Sequence, residues 1–534
     1  MIFGRLPLDE AEGAILAHGL TMDGRRLKKG HVLTAADLEE LNRSGRETVL
    51  AARIEAGDMK EDAAAEAVAL VAAGPGAKAQ APFTGRCNLY AEHAGVVQFD
   101  PDVISRINTI DEGITIATLR PFDVVDRGQM LATVKIIPFS VPEALVERAR
   151  EMAKGAISVA AYRRRRTGIV STRLPETKDS VIEKGVELMR RRIERTGGQT
   201  GEVLTVEHHE DDVRDAVAGL ADSHDMIVIF SASAISDRRD VVPAGIVGAG
   251  GAVVHYGMPV DPGNLMLLAE IGGVPVIGAP GCARSPKENG FDWVFNRLSA
   301  GLDVGPDDVM AMGVGGLLVD TAQRGAPRED RAAGAQRMPR VAAILLAAGQ
   351  SRRMGKANKL LAEVDGEPMV RHAWRAIQGS AAETAIVVTG HEPDRLKAAL
   401  EDEAGDARFV HNALYAEGLS TSLGAGLLAV PADCDAAVVC LGDMPRISSG
   451  VIDRLISAFN PVEGRAICVP TRNGKRGNPM LFDRRFFSDV LGIGGDVGAR
   501  HIIGEHEDLV AEVPVDDDAI FLDVDTPEAL AELA

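Results

Sequence analysis

Val341 to Leu361 reads VAAILLAAGQSRRMGKANKLL, and this stretch decides how the C-terminal part of the chain folds. Val341 to Ala348 is an uninterrupted apolar run of strand length, the pattern of a central parallel strand covered on both faces. Gly349 ends the run, and Arg352, Arg353, Lys356 and Lys359 follow in a segment that also holds Gly355. Guanidinium and ammonium groups crowded beside flexible backbone are what a triphosphate requires. Two familiar phosphate motifs are excluded. A Walker A loop has four residues between its glycines and then Lys-Ser/Thr, whereas Gly349 and Gly355 enclose five residues and Lys356 is followed by Ala357. No G-x-G-x-x-G opens the following helix, so a dinucleotide fingerprint is absent too.

Pieces further along the chain fit a nucleotide site on physical grounds. Ala436 to Pro445, AAVVCLGDMP, is an apolar strand that delivers Asp443 at its carboxyl end. Open α/β sheets bind ligands there, and one carboxylate with two phosphate oxygens can hold magnesium. The competing reading is a turn aspartate ahead of Pro445. Phe521 to Leu530, FLDVDTPEAL, carries Asp523 and Asp525. Asp525 is a second metal-ligand candidate, although Thr526, Pro527 and Glu528 also spell a helix start with a cap, a first-turn proline and an acidic first turn. Ile386 to His391 (IVVTGH) is another strand closing on glycine, followed by HNALYAEGLSTSLGAGL from His411 to Leu427 and GKRGNPMLF from Gly474 to Phe482.

In this order the pieces resemble the nucleotidyltransferases, and among them the molybdenum cofactor cytidylyltransferases, from about Arg340 to the end. Ala347, Ala348, Gly349, Ser351, Arg353, Met354, Gly355 and Lys359 match the signature A-A-G-x-S-x-R-M-G with its downstream lysine. The resemblance implies nucleotide binding by Ala347, Ala348, Gly349, Ser351, Arg353, Gly355 and Lys359, and catalytic roles for Arg353, Lys359 and Asp443. It implies magnesium on Asp443 and Asp525, and substrate contacts from Asn412, Gly418, Ser420, Ser422, Gly477, Asn478 and Pro479. The implied reaction is attack by a phosphate oxygen of molybdenum cofactor on the α-phosphorus of CTP, with pyrophosphate leaving and no covalent enzyme intermediate. Positioning and charge neutralisation carry such reactions, so Arg353 and Lys359 are expected to clamp phosphate. Arg352 and Lys356 are alternatively solvated surface charges. Ala347-Ala348-Gly349, where the guanylyl branch has Ala-Gly-Gly, points to CTP.

Thr167 to Asp320 alternates strand and helix patterns, as expected of an α/β domain with a mainly parallel sheet. Strands are predicted at Gly168 to Thr172, Val203 to Val206, Met226 to Phe230 and Val274 to Gly278, and helices at about Thr177 to Thr196, Asp211 to Asp222 and Lys287 to Leu298. Arg239-Asp240-Val241-Val242-Pro243, Tyr256 to Gly263 and Ala279-Pro280-Gly281 resemble motifs of the molybdopterin-binding domain shared by molybdopterin adenylyltransferases and molybdenum-insertion proteins. The family's Gly-Gly-Thr-Gly loop is here Ala232-Ser233-Ala234-Ile235, and its Thr-Gly-Asp turn is Ser171-Thr172-Arg173. Backbone without glycine approaches phosphate less closely, so Ser231, Ser233 and Ser236 hydroxyls are the expected donors, in a domain that binds the pterin phosphate without adenylylation or metal-insertion chemistry. Asp240 is the other candidate there, with a plain helix cap before Val241 as its alternative. His208 and His209 are adjacent, and adjacent strand residues point to opposite faces, a poor chelate.

The fold class expected is α/β throughout: a C-terminal Rossmann-like nucleotidyltransferase domain at 341–534, a linker at 321–340, a central α/β molybdopterin-binding domain at 161–320, and a β-rich mixed region at 1–160. Within that first region, Asp58 to Ala73 and Pro142 to Lys154 read as helical, and Thr84 to Pro138 as short strands. A composition of 46% hydrophobic and 25% charged residues supports globular cores, and a net charge of -20 argues against nucleic acid as a partner. No run reaches transmembrane length, the N-terminus lacks a signal-peptide pattern, and five scattered cysteines without C-x-x-C spacing support neither a disulfide framework nor a zinc site. Cytoplasm is the expected compartment. The expected partners are CTP, molybdenum cofactor, and a recipient molybdoenzyme or its maturation chaperone. Guanylyl transfer to the same cofactor, cytidylyl transfer to methylerythritol phosphate, and a non-enzymatic molybdopterin carrier or sensor stay open.

Overall fold

The computed structural model describes residues 1–22, 25–318, 338–349, 358–461, 464–491, 500–524, 526 and 529–530. The chain divides into two compact units, Met1–Ala79 with Asn88–Arg337, and Gln80–Cys87 with Met338–Ala534.

In the second unit, every residue of the strand Val341–Ala347 is buried. Parallel strands Thr384–Thr389 and Ala436–Leu441 flank it. Alternate residues enter different core layers: Ala343 and Leu345 pack with Trp374 and Leu455, whereas Ile344 and Leu346 pack with Leu423 and Phe482. A strand covered on both faces has no solvent side, which is why the run from Val341 is uninterruptedly apolar. Each large side chain so buried stabilises the fold by about 1.5–3 kcal/mol. The helix Met369–Gln378 covers one layer with Val370, Ala373, Trp374 and Ile377, a three-and-four spacing, and Leu419–Leu428 covers the other with Leu423 and Leu427.

The sheet runs Arg408–His411, Thr384–Thr389, Val341–Ala347, Ala436–Leu441, Met480–Asp483, Ile467–Arg472, Lys475–Arg476, with Val510–Pro514 added to Ile467–Arg472. From Val341–Ala347 the chain builds two parallel strands to one side, then returns to build Ala436–Leu441 on the other. This reversal opens a crevice outside the carboxyl ends of Val341–Ala347 and Ala436–Leu441, the place where doubly wound sheets hold ligands.

The first unit holds a six-stranded sheet ordered Gln199–Glu207, Arg166–Arg173, Met226–Phe230, Val274–Ala279, Leu267–Ile271, Ala252–Tyr256. Its first four strands are parallel and coincide with the four predicted ones. The last two are antiparallel additions that the periodicity did not indicate. Gly272 and Gly273, both at positive φ, join Leu267–Ile271 to Val274–Ala279 as a two-residue hairpin. Helices Asp179–Arg195, Glu210–Ala221 and Gly290–Ser299 occupy the predicted places, and Val241–Gly248 is a further one.

Towards the N-terminus, Ile2–Pro7 pairs antiparallel with Thr48–Arg53, and helices Glu61–Ala72 and Glu143–Ala153 flank short strands from Arg86–Ala91 to Met130–Ile136. One element departs from the strand reading of that segment. Pro101–Asn108 is a helix, because Asp100 accepts the N–H of Asp102 and Pro101 sets the first turn. Among the described residues no helix is long and apolar enough to cross a membrane.

Candidate functional site

At the carboxyl end of Ala436–Leu441, the Gly442 N–H donates to the Leu346 carbonyl at 3.0 Å and turns the chain, so that Asp443 follows at the mouth of the crevice. Lys359 Nζ lies 2.5 Å from Asp443 Oδ2, with the two side chains 13% and 18% exposed. The other carboxylate oxygen, Oδ1, is buried and has no hydrogen-bond partner among the described residues. Lys359 is held by its neighbours: Leu360 is buried in the core, and the buried Asn358 accepts the Leu360 N–H in a short 3-10 turn. The C-terminal piece reaches the same place, since the buried Val524 donates its N–H to the Asp443 carbonyl at 3.0 Å. Thr526 Oγ1 accepts the Ala529 N–H, so the anticipated helix cap is made by Thr526. Asp523 is exposed.

Ala347 and Ala348 are buried, and the Ala348 carbonyl accepts the His391 N–H at 3.4 Å. Tyr415 closes over this turn. A Cβ on Gly390 would stand 2.5 Å from Tyr415 Cβ and 2.8 Å from Ala348 Cβ, so only glycine fits between them. The His391 and Tyr415 rings lie tilted with centroids 6.1 Å apart. Sequence reasoning missed this wall, although an aromatic residue midway between Asn412 and Gly418 was its visible trace.

Asn412 spends its side chain inside the protein. Its Nδ2 donates to Thr421 Oγ1 at 2.9 Å and Ser422 Oγ at 3.0 Å, and its Oδ1 accepts the Leu414 N–H at 3.0 Å. The network ties the strand end at His411 to the helix Leu419–Leu428, which Gly418 opens at φ 129°. Ser420 stands half-buried in the first turn of that helix, and Ser422 is buried. Gly477 and Asn478 are bound by backbone: Gly477 N–H to Pro470 carbonyl at 2.9 Å, Asn478 N–H to Ile520 carbonyl at 3.0 Å. A Cβ on Gly477 would stand 2.5 Å from the Ile520 oxygen. Met480 pairs with Val439, so Asn478 and Pro479 lie beside the carboxyl end of Ala436–Leu441, on the Asp443 side. Ser351, Arg353, Gly355 and Asp525 lie outside the described residues.

The described residues fit a hard divalent cation at one point, the buried orphan oxygen of Asp443. They gather no group of three or more His, Cys, Asp or Glu. One protein carboxylate suits magnesium that is held chiefly by substrate phosphates and water. Within this sheet, burial pushes the Cys440 and Cys468 thiols up to about 12, which favours the neutral thiol.

In the first unit, Asp240 caps the helix Val241–Gly248, accepting the Val241 N–H at 2.8 Å and the Ser236 N–H at 3.0 Å. Ser233 is exposed. His208 meets Thr172 Oγ1 while His209 caps Glu210–Ala221, so the pair diverges. A residue that sequence reasoning passed over stands nearby. Arg284 donates from Nη2 to the Ser231 carbonyl at 2.9 Å and lies 5.3 Å above the Phe230 ring, and burial lowers its pKa. The Ser171 and Ser231 hydroxyls, at neighbouring strand ends, are buried without a partner among the described residues.

With this geometry in place, comparison with known proteins defines the class of the C-terminal unit. Residues 343–509 match the MobA-like NTP transferase domain. Residues 5–53 match a domain of unknown function, DUF8806. Bifunctional protein GlmU of Kineococcus radiotolerans is 37% identical over 175 residues, 32% of this chain and 33% of that protein. Nicotine blue oxidoreductase of Paenarthrobacter nicotinovorans is 27% identical over 201 residues, 37% of this chain and 97% of that protein. The solved Rv0371C complex with manganese from Mycobacterium tuberculosis H37Rv is 23% identical, covering 36% of this chain and 97% of that chain at a TM-score of 0.31. The chain thus spans about a third of the length of the GlmU protein it matches. The curated relatives carry such different names that the reaction has to be argued from the site.

Proposed function

We propose that this protein is a magnesium-dependent nucleotidyltransferase that transfers CMP from CTP to the terminal phosphate of molybdenum cofactor, forming molybdopterin cytosine dinucleotide. The observation that carries the reading is the Lys359–Asp443 pair at the switch-point crevice, with its orphan carboxylate oxygen. A phosphate oxygen of the acceptor attacks the α-phosphorus of CTP, the bond from that phosphorus to the bridging oxygen breaks, and pyrophosphate leaves. Magnesium, when bound, would neutralise charge on the phosphates. Lys359, with Arg353, would grip the phosphates and stabilise the leaving pyrophosphate, and Asp443, with Asp525, would present carboxylate to the cation. The MobA-like match over 343–509 supports nucleotidyl transfer, and the buried Ala347-Ala348 pair supports CTP.

The pterin acceptor is supported by residues 161–320, whose sheet and Arg239-Asp240 segment resemble molybdopterin-binding domains. Arg284 and the Ser171 and Ser231 hydroxyls are the donors we assign to its phosphate, in place of the glycine loop. Carrying both sites on one chain raises the effective concentration of cofactor at the transferase. We further propose a cytoplasmic location and delivery to a recipient molybdoenzyme or its maturation chaperone.

The test is pyrophosphate release by the full chain with magnesium and CTP, GTP or ATP, against purified molybdenum cofactor and against methylerythritol phosphate. Release with CTP and molybdenum cofactor is expected. Preference for GTP would give the guanylyl reading, turnover with methylerythritol phosphate would replace the acceptor, and cofactor binding without pyrophosphate would make the protein a carrier.

A further inference from the structure

Gln199–Glu207 ends the six-stranded sheet of the first unit, so one side of its backbone has no strand beside it. A bulge marks its beginning, between the Thr167–Thr200 and Ile169–Val203 pairs, and the buried His224 accepts the Glu202 N–H there at 3.0 Å. From Val203 to Glu207 the pairing is regular, and only Glu207, at the end of VLTVE, is charged. The stretch holds no lysine, proline or second bulge, the devices that keep an edge from recruiting another strand. We propose that this edge is the interface of a homodimer, in which Val203–Glu207 pairs antiparallel with the same segment of a second copy.

Backbone direction sets the register. The His208 N–H donates inward to the Arg173 carbonyl at 2.8 Å, so by strand alternation Leu204 and Val206 also turn their backbone groups inward, while Val203, Thr205 and Glu207 turn theirs out. A two-fold axis through Leu204 then sets Val203 against Thr205 of the second copy and Thr205 against Val203 of the second copy, each an outward pair that exchanges two hydrogen bonds. Glu207 meets Gly201, so no two carboxylates oppose each other across the pair. The helix Asp179–Arg195 supports the same axis. Ile182 and Val186 of the helix and Val203 and Thr205 of the strand line a groove along this edge, bordered by Glu183, Glu187 and Arg190. Glu187 is held within the helix by Arg191 at 3.0 Å, whereas no ion pair among the described residues takes Glu183 or Arg190. Reversal of the helix about Val186 and Glu187 lays Glu183 of one copy beside Arg190 of the other, twice, a charge complementarity that a second copy offers and an unrelated strand does not. The carboxyl ends of the two sheets then point in opposite directions, which leaves Ser171 and Ser231 outside the interface.

The experiment is sedimentation velocity on the full chain over a concentration series, with hydrogen exchange on the same samples. The wild type should sediment as a dimer, and the Val203 and Thr205 amides should exchange more slowly as the dimer fills. Thr205→Pro removes an outward N–H that makes no bond inside the sheet, so it should leave a folded monomer. Arg190→Glu should weaken the dimer on the order of a hundredfold, since symmetry counts the repulsion twice, and Glu183→Arg combined with Arg190→Glu should restore it. A wild type that stays monomeric throughout the series would overturn the proposal. So would a dimer that Thr205→Pro and Arg190→Glu both leave intact, because its interface would lie elsewhere. Should circular dichroism show Thr205→Pro unfolded, the charge exchange decides: a double variant no more dimeric than Arg190→Glu alone would overturn the pairing.

Discussion

The backbone N–H of Val524 donates to the carbonyl of Asp443 at 3.0 Å, which ties Val524 to the loop that carries this carboxylate. Asp525, the second aspartate proposed for the metal, follows Val524 in the sequence and lies outside the described residues. Three substitutions separate their roles. Lys359→Ala and Asp443→Asn should each cost about 2–4 kcal/mol in kcat/KM, the usual loss for one charge-stabilising group at a reacting phosphate. Asp525→Asn should raise the magnesium concentration needed for half-maximal turnover while leaving the melting temperature unchanged, because Thr526 makes the helix cap. Steady-state kinetics at varied magnesium, with calorimetry on the same samples, checks all three.

Asn412→Ala should lower stability by about 1–3 kcal/mol, the cost of leaving buried partners unsatisfied. The substitution strips the Leu414 N–H of its acceptor and the Thr421 and Ser422 hydroxyls of their donor. Urea unfolding measures the loss. A stable Asn412→Ala protein with reduced turnover would instead make Asn412 a substrate ligand.

Gly390→Ala should displace Tyr415, since the new methyl would stand 2.5 Å from the Tyr415 Cβ. Overpacking of this kind costs about 1–3 kcal/mol. The wall above Ala348 moves with it, so the ratio of CTP to GTP turnover should change in this variant and in Tyr415→Ala. An unchanged ratio in both would remove the Tyr415 wall from base selection.

Near the N-terminus, burial of Asp37 favours its neutral form, yet hydrogen bonds from His31 and Thr34 outweigh that effect and hold its pKa at about 2. An unfolded aspartate titrates near pH ~3.9. The folded pKa is the lower one, so the stability that this carboxylate contributes is complete above pH ~4 and is lost as the pH falls through about 2. The stability difference between the wild type and Asp37→Asn should therefore be constant above that range and shrink below it, as read from melting temperatures at stepped pH.

The strand Val341–Ala347 was legible because burial on both faces leaves one sequence solution, a continuous apolar run. The place of Asp443 was legible because Gly-Asp after an apolar strand sets the aspartate just beyond the strand's carboxyl end. Asn412 was harder, since an asparagine reads the same whether it contacts a ligand or closes a loop, and in the folded chain its partners are internal. Contacts between distant segments, Gly390 with Tyr415 and Val524 with Asp443, leave no local periodicity to read. The helix Pro101–Asn108 was hidden for another reason. Asp-Pro marks turns and helix starts alike, and Ile104 and Ile107 supply only two buried apolar positions in eight residues.

The central claim is attack at the α-phosphorus of CTP, and the most direct measurement follows two labels through one reaction of the full chain with molybdenum cofactor and magnesium. CTP labelled at the α-phosphorus should pass its label to the pterin product, and CTP labelled at the γ-phosphorus should yield labelled pyrophosphate in equal amount. The α label remaining with free nucleotide, or the γ label appearing as inorganic phosphate, would contradict the account.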